Sequence, residues 1–480
     1  MIRLQPAPDE VAAILARYGA IVDDFQQLLE VARKPLPVCL WHNPLKCTVN
    51  DLQHYGSMND LVLVPVRWQA GAYRVSGGAA VGHTLPFTAG WFYIQEEIAM
   101  VAVAALAPRP GERILDLCAA PGGKTAQIAV RVNAGTVVAN EMNAGRSPSL
   151  MANLNRLGFT QTVITQADGR SLALPPQTFD RVLGDAPCSG EGNLRRRRRR
   201  RPWQATYGLR IAKVQKKLLS CALDLVRPGG TVVYSTCTFA PEENEAVLDA
   251  VMGDRAVVVP FQIEGLRAQP GLTQWQGNAY RQDLTNAHRY FPHLNDTGGF
   301  FVAKLRRTFT PPRTTAIASN EPAGIIAPTA EPIDGPASPL AEQCKRLAIA
   351  PAVMAPYGVW ATGKRRLWLL EQTSHPPAEL SWQTAGLSLA TYTNLGLKPS
   401  TAFLQRFGPA ITQNVISLAD QHQVAQFLQG RSQALKADVE PGYVHVRYQQ
   451  FELGCGRYRD GWLESQIPKM LRWPTAPEAT

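Results

Sequence analysis

LDLCAAPGGKT, residues 115–125, joins a short apolar run to a helical pattern, and its glycines let backbone approach a bound ligand closely. The ending Gly123-Lys124-Thr125 invites a phosphate-cradle reading, in which backbone amides and a lysine hold a polyphosphate. That loop needs a glycine five positions ahead of Gly123, and position 118 is cysteine. A nucleoside triphosphatase is therefore set aside.

Outward from this loop, between about Gly111 and Lys304, short apolar strands alternate with helical segments, the pattern of a parallel α/β sheet. The strands are expected at Arg113 to Cys118, Thr136 to Asn140, Thr162 to Thr165, Asp180 to Asp185, Thr231 to Thr236 and Phe300 to Lys304. In such folds ligands sit at the carboxyl ends of the strands. Glu141 follows the second strand, about 20 residues beyond the glycines, where a carboxylate can accept hydrogen bonds from a ribose diol. Asp168, after the third strand, is placed to accept from an adenine amino group. Each carboxylate would serve equally well as a helix cap. Together they suggest a nucleoside cofactor without a pyrophosphate, a description that S-adenosylmethionine satisfies.

The fourth strand runs into Asp185-Ala186-Pro187-Cys188-Ser189-Gly190 and the fifth into Tyr234-Ser235-Thr236-Cys237-Thr238. Two thiols thus fall at the sheet edge that carries the cofactor loop. A thiol is useful where the target carbon is not itself nucleophilic. Carbon 5 of cytosine is such an atom, and a thiolate adding at carbon 6 makes an enamine that can attack an electrophilic methyl group. The sulfur must afterwards be expelled, so one cysteine can attack while another assists release. Buried free cysteine is common and inert, and Cys118, Cys221, Cys344 and Cys455 are read that way.

At 480 residues the chain exceeds what one core usually organises, so two or three domains are expected. Hydrophobic residues make 45% of it and charged residues 18%, which excludes wholesale disorder. A formal net charge of +11 gives a positive field suited to a polyanion such as nucleic acid. The longest apolar run, Ile98 to Ala107, is ten residues, too short to span a membrane, and the N-terminus lacks the apolar core of a secretory signal. Eight cysteines without a C-x-x-C pair, and eight histidines without H-E-x-x-H, lead to the expectation of a reduced, cytoplasmic protein with no structural metal.

With LDLCAAPGGKT, DAPCSGEG and YSTCTFAPEENE in this order, the chain resembles the Sun and nucleolar-protein family of RNA cytosine-C5 methyltransferases over roughly residues 85 to 305. The resemblance implies a Rossmann-like class I methyltransferase core. It implies that Cys118, Ala119, Ala120, Pro121, Gly122, Gly123, Lys124, Glu141, Asp168 and Asp185 line the S-adenosylmethionine site, Cys118 through its backbone. Cys237 would be the nucleophile and Cys188 would help to eliminate the enzyme from the methylated base. Asp185 would also hydrogen-bond the pyrimidine to favour addition. DNA enzymes of this chemistry place the nucleophile in the Pro-Cys motif and lack the Thr-Cys partner, so the pair of motifs argues for RNA.

The layout is similar to the bacterial RsmF branch, whose substrate class is 16S ribosomal RNA. Residues 1–84 are expected to form an α/β N-terminal extension, 85–307 the core, 308–342 a Pro/Ala/Thr-rich linker, and 343–480 a mixed or β-rich RNA-binding region with a PUA-like module near its end. Alternatives are a transfer-RNA cytosine methyltransferase and a ribosome-assembly factor that binds RNA without catalysis. A monomer is the default. The R-x-N element frequent in the family reads Trp41-His42-Asn43 here, and seven successive arginines, Arg195 to Arg201, follow the Pro-Cys motif. Such a run is either a solvated, mobile segment or a grip on RNA phosphates, with Trp203 and Tyr207 available to stack on bases or to pack in a core.

Overall fold

The computed structural model describes residues 8–77, 81–196, 205–308 and 338–474. Its centre is a ten-stranded sheet. Within it we number β1 (Arg113–Asp116), β2 (Thr136–Asn140), β3 (Thr162–Thr165), β4 (Phe179–Asp185), β5 (Val226–Thr236), β6 (Phe300–Arg307) and β7 (Trp382–Ala385). β2 and β4 flank β1, β3 lies outside β2, and β5 lies outside β4, all parallel. β6 lies antiparallel beside β5 and carries the short strands His288–Tyr290 and Ala256–Val258 on its other side, and β7 runs antiparallel along the outer edge of β3. The sheet therefore reaches beyond position 307 and takes a strand from the C-terminal part of the chain.

Strands covered on both faces are apolar through their middles, as in Val137 to Ala139 of β2 and Val163-Ile164 of β3. Alternate residues face alternate layers. Ile114, Val137, Ala139, Ile164 and Leu183 join one core with Ile128 and Leu150. Leu115, Val138, Val163 and Val182 join the other with Leu219 and Leu223. The first layer holds α1 (Gly123–Val132) and α2 (Ser147–Leu157). α2 carries Pro148 in its first turn and stops at Gly158, whose left-handed backbone donates to the carbonyls of Leu154 and Asn155. The second layer holds α3 (Ala205–Leu225) and α4 (Glu245–Met252).

The N-terminal part builds its own four-stranded sheet from Val62–Pro65, Ala72–Ser76, Val38–His42 and Phe92–Ile94. The C-terminal part adds a four-stranded sheet within residues 357–399 and a five-stranded one within 415–465. The two ends of the chain share a core: Leu40, Tyr73, Trp91 and Phe92 pack with Val444, Val446, Phe451 and Leu463. Asn43, the last residue of the Trp41-His42-Asn43 element, is buried and donates to the carbonyls of Gly90 and Leu157, which ties this sheet to the end of α2. Among the described residues, no helix is long and apolar enough to cross a membrane.

Candidate active site

The strand order reverses between β1 and β4, and a crevice opens at the carboxyl ends of strands at such a point. The residues at these ends are knitted together by hydrogen bonds. Asn140, at the end of β2, donates to the carbonyls of Leu117 and Ala167, and its Oδ1 accepts from the Ala167 amide. The loop after β1 is drawn back by Thr125, whose hydroxyl donates to Asp116 at 2.7 Å. Burial raises the Asp116 carboxyl to about 7. Two glycines are sterically required here. Gly122 has φ +105°, and a Cβ on Gly123 would lie 2.6 Å from the Tyr93 ring.

Glu141 lies buried against this loop, its Oε2 accepting from the Ala120 amide at 3.3 Å and pairing with Arg146, and its Oε1 accepting from the Asn143 amide. Asp168 is gripped by Arg170 through both oxygens, which holds its carboxyl below the usual range. Lys124, the cation that a phosphate cradle would need, turns instead to Asp185 at 2.7 Å. Burial works against the Lys124 ammonium, and the neighbouring Asp185 carboxylate more than compensates, so its pKa is raised. The other Asp185 oxygen accepts from Ser235, also at 2.7 Å.

Cys188 and Cys237 meet beyond Asp185, their sulfurs 3.2 Å apart. Asn193 Nδ2 approaches Cys237 Sγ at 2.9 Å. Hydrogen bonding from Cys188 lowers the Cys237 thiol, an effect that burial and the Asp185 charge oppose and that Arg196 and Asn193 support. Sharing that bond raises Cys188. The other six cysteines are all pushed up by burial, so Cys237 alone of the eight is shifted toward the thiolate. Cys118 is among the raised ones, its thiol packed against the apolar layer of Leu117 and Val138.

Three members of the Glu-Glu-Asn-Glu run, Glu243, Asn244 and Glu245, tie down the segments around Cys237. Glu242 pairs with Arg17. Glu243 Oε2 accepts from the Ser189 amide at 2.9 Å and from Gln215 at 3.0 Å, and burial lifts its carboxyl to about 7. Asn244 accepts from Thr236 and donates to the Thr238 carbonyl. Glu245 pairs with Arg289. Across the crevice, the Gly192 amide donates to the Cys237 carbonyl and the Gly192 carbonyl accepts from the Gly299 amide, each at 2.9 Å. A Cβ on Gly192 would stand 2.2 Å from the Gly299 oxygen, a contact between two backbones that cannot relax by a side-chain rotation. Gly192→Ala is accordingly expected to cost about 1–3 kcal/mol of stability in chemical denaturation and to slow methyl transfer. An unchanged unfolding midpoint would show that the two segments separate freely.

Residue by residue, the crevice gathers the loop 118–124, Glu141, Asp185, Cys188 and Cys237, with Asp168 at its side. Sequence reasoning missed Asn140, Asn193, Ser235 and Glu243. Asn140 ends a strand that the sequence shows, Ser235 lies in the stretch Tyr234 to Thr238 and Glu243 in YSTCTFAPEENE, but nothing in either motif singles out these two side chains. The arginine run needs a correction at its first member. Arg195 is 2% exposed, donates to the carbonyls of Lys34, Pro35 and Thr297 and pairs with Asp296, so it is a structural tie rather than a phosphate contact or a solvated charge. A guanidinium with five donors in a fixed fork can satisfy several carbonyls at once. Arg196 is exposed. Arg197 to Arg201 and Trp203 lie outside the described residues, and Tyr207 falls in the first turns of α3.

A family model of the 16S rRNA methyltransferases RsmB/F matches residues 103–306, and a model of the RsmF PUA domain matches 413–473. The ribosomal RNA small subunit methyltransferase F of Klebsiella pneumoniae is 32% identical over 464 residues, covering 93% of this chain and 92% of that protein. This chain belongs to the RsmF family of methyltransferases. The RsmF-type core, residues 103–306, holds every residue of the crevice described above. A 28S rRNA (cytosine-C(5))-methyltransferase of Mus musculus is 37% identical over 290 residues, which are 58% of this chain and 36% of that longer protein. Among solved structures, a methyltransferase homologue from Pyrococcus horikoshii shares 30% identity with a TM-score of 0.53, covering 63% of this chain and 99% of its own.

Proposed function

We propose that this chain transfers a methyl group from S-adenosylmethionine to carbon 5 of a cytosine in 16S ribosomal RNA, through a bond between Cys237 and carbon 6 of the base. The observation that carries this reading is the pair of thiols 3.2 Å apart at the reversal point of the sheet, Cys237 being the cysteine whose thiol is shifted downward.

The residues present suit S-adenosylmethionine. Backbone of 118–123 borders the site, Glu141 would take the ribose diol and Asp168, held ionised by Arg170, the adenine amino group. Asp185, anchored by Lys124 and Ser235, stands between this site and the thiols. With Lys124 committed to Asp185, the loop offers no cation to a pyrophosphate. S-adenosylmethionine supplies the electrophilic methyl group.

The Cys237 thiolate adds to carbon 6, and the electron pair pushed into the ring makes carbon 5 nucleophilic. Asp185 hydrogen-bonds the pyrimidine and favours this addition. Once carbon 5 carries the methyl group, its proton must pass to a base, and the re-formed double bond expels Cys237 as a thiolate. Cys188, in contact with that sulfur, assists the expulsion. The target cytosine must leave its stack or be unpaired to reach two thiols at the floor of a crevice.

Two free thiols in contact suit a reducing cytoplasm. The match at 413–473 supports RNA binding by the C-terminal sheet. The test is incubation of the purified protein with S-adenosylmethionine and either 16S RNA, small subunits or transfer RNA, followed by bisulfite mapping. A new 5-methylcytosine in 16S RNA or the subunit is expected. Methylation of transfer RNA alone would replace the substrate, and binding without any methylation would leave a ribosome-assembly factor.

A further inference from the structure

Asn193 lies 44 residues from Cys237 in the chain, yet its Nδ2 points at the Cys237 sulfur. The loop that brings it there is tightly held. Gly190 takes a left-handed turn at φ +74°, and a 3₁₀ turn over Glu191–Asn193 follows. The Asn193 amide closes back on the Gly190 carbonyl at 3.0 Å, and its own carbonyl accepts from Arg196 at 3.1 Å. On either side, Gly192 is clamped between Cys237 and Gly299, and Leu194 is buried in a separate core with Tyr18 and Phe239. A side chain projecting from this turn has little freedom to leave the sulfur.

An N–H donor bonds a thiolate far more strongly than it bonds a thiol or a thioether, because the acceptor charge is what it answers to. Cys237 carries that charge before attack and again after expulsion, and loses it while bonded to carbon 6. Asp185, also facing the sulfur, opposes the charge, and Arg196 and Lys124 favour it. Cys188, the other hydrogen-bonding partner, is engaged in release and cannot serve as a constant donor. We infer that Asn193 is a positioning residue for the nucleophile, its amide stabilising the Cys237 sulfur in the charged form that exists at both ends of the covalent cycle. It thereby promotes ionisation before the attack and makes the sulfur a better leaving group after methyl transfer.

This inference rests on the reading of Cys237 as the nucleophile, but its test needs neither RNA nor turnover. In a Cys188→Ala background, alkylation of Cys237 by iodoacetamide is followed against pH, with the labelled peptide quantified by mass spectrometry. Removing the donor with Asn193→Ala is expected to raise the midpoint by about one pH unit, which is about a tenfold slower alkylation at any pH below it. Asn193→Asp keeps the shape of the side chain and puts a carboxylate against the sulfur, so it is expected to raise the midpoint further. S-adenosylmethionine binding serves as the fold control and stays unchanged. A midpoint that does not move in Asn193→Ala overturns the proposal, as does a shift that appears only with loss of S-adenosylmethionine binding. Retained turnover in Cys237→Ala would instead sink the nucleophile assignment and leave the alkylation result standing.

Discussion

Cys237→Ala is expected to lower methyl transfer by about 10⁴-fold or more, while Cys188→Ala leaves the protein joined to its RNA by a bond that survives denaturing electrophoresis. The asymmetry follows from the roles proposed above for the two thiols. Without Cys237 no bond to carbon 6 forms, carbon 5 is never made nucleophilic, and the methyl donor has nothing to react with. Without Cys188 the nucleophile is still in place and the attack proceeds, but expulsion loses its assistant. The adduct then accumulates. Trapping by Cys237→Ala instead would exchange the two assignments. Trapping by neither would mean that release depends on another group, for which Glu243, which accepts from the Ser189 amide beside Cys188 and has its carboxyl raised to about 7, is a candidate.

The second large effect concerns stability. Arg289→Met should destabilise the protein by about 3–5 kcal/mol, read from the shift of its urea unfolding curve. Arg289 and Glu245 have side chains 2% and 0% exposed. The guanidinium also donates to the Phe239 carbonyl at 2.9 Å, two residues beyond Cys237. Removing the arginine strands a carboxylate inside the protein, with the Leu272 amide at 3.0 Å as its remaining tie. The double variant Arg289→Met with Glu245→Leu should recover much of the loss, since neither charge is then buried alone. A single-variant loss below about 1 kcal/mol would mean that water reaches Glu245.

The core was legible because its strands obey a strong physical constraint. Thr136–Asn140 and Thr162–Thr165 are buried at every position, so their middles, Val137 to Ala139 and Val163-Ile164, are apolar and only their ends carry polar side chains. The cysteine motifs were legible because turns that carry thiols at strand ends are rare. Trp382–Ala385 was not read as a strand. An edge position half open to solvent tolerates a sequence as mixed as Trp-Gln-Thr-Ala. β5 begins at Val226, five residues ahead of the Thr231 that the sequence suggests, because Pro228-Gly229-Gly230 resembles a turn although it lies within the strand. Arg195 was misread because seven identical residues invite one fate, and the carbonyls that capture the first come from Lys34, Pro35 and Thr297, distant in sequence. Asn193 was missed for the same reason, its contact with Cys237 being made across a loop.

The strand Trp382–Ala385 bears on how this protein could be divided. It pairs with Val163–Thr165, Thr384 Oγ1 accepting from the Ile164 amide and the Ser381 carbonyl accepting from Thr165. Cutting the chain after residue 308 would strip that cover and leave a bare row of amides and carbonyls along β3, the kind of surface on which copies stick to one another. An isolated catalytic half would be prone to precipitate even with every residue of its crevice in place. Any exchange of the RNA-binding end for another, in the laboratory or in evolution, must carry this short strand with it or supply a substitute.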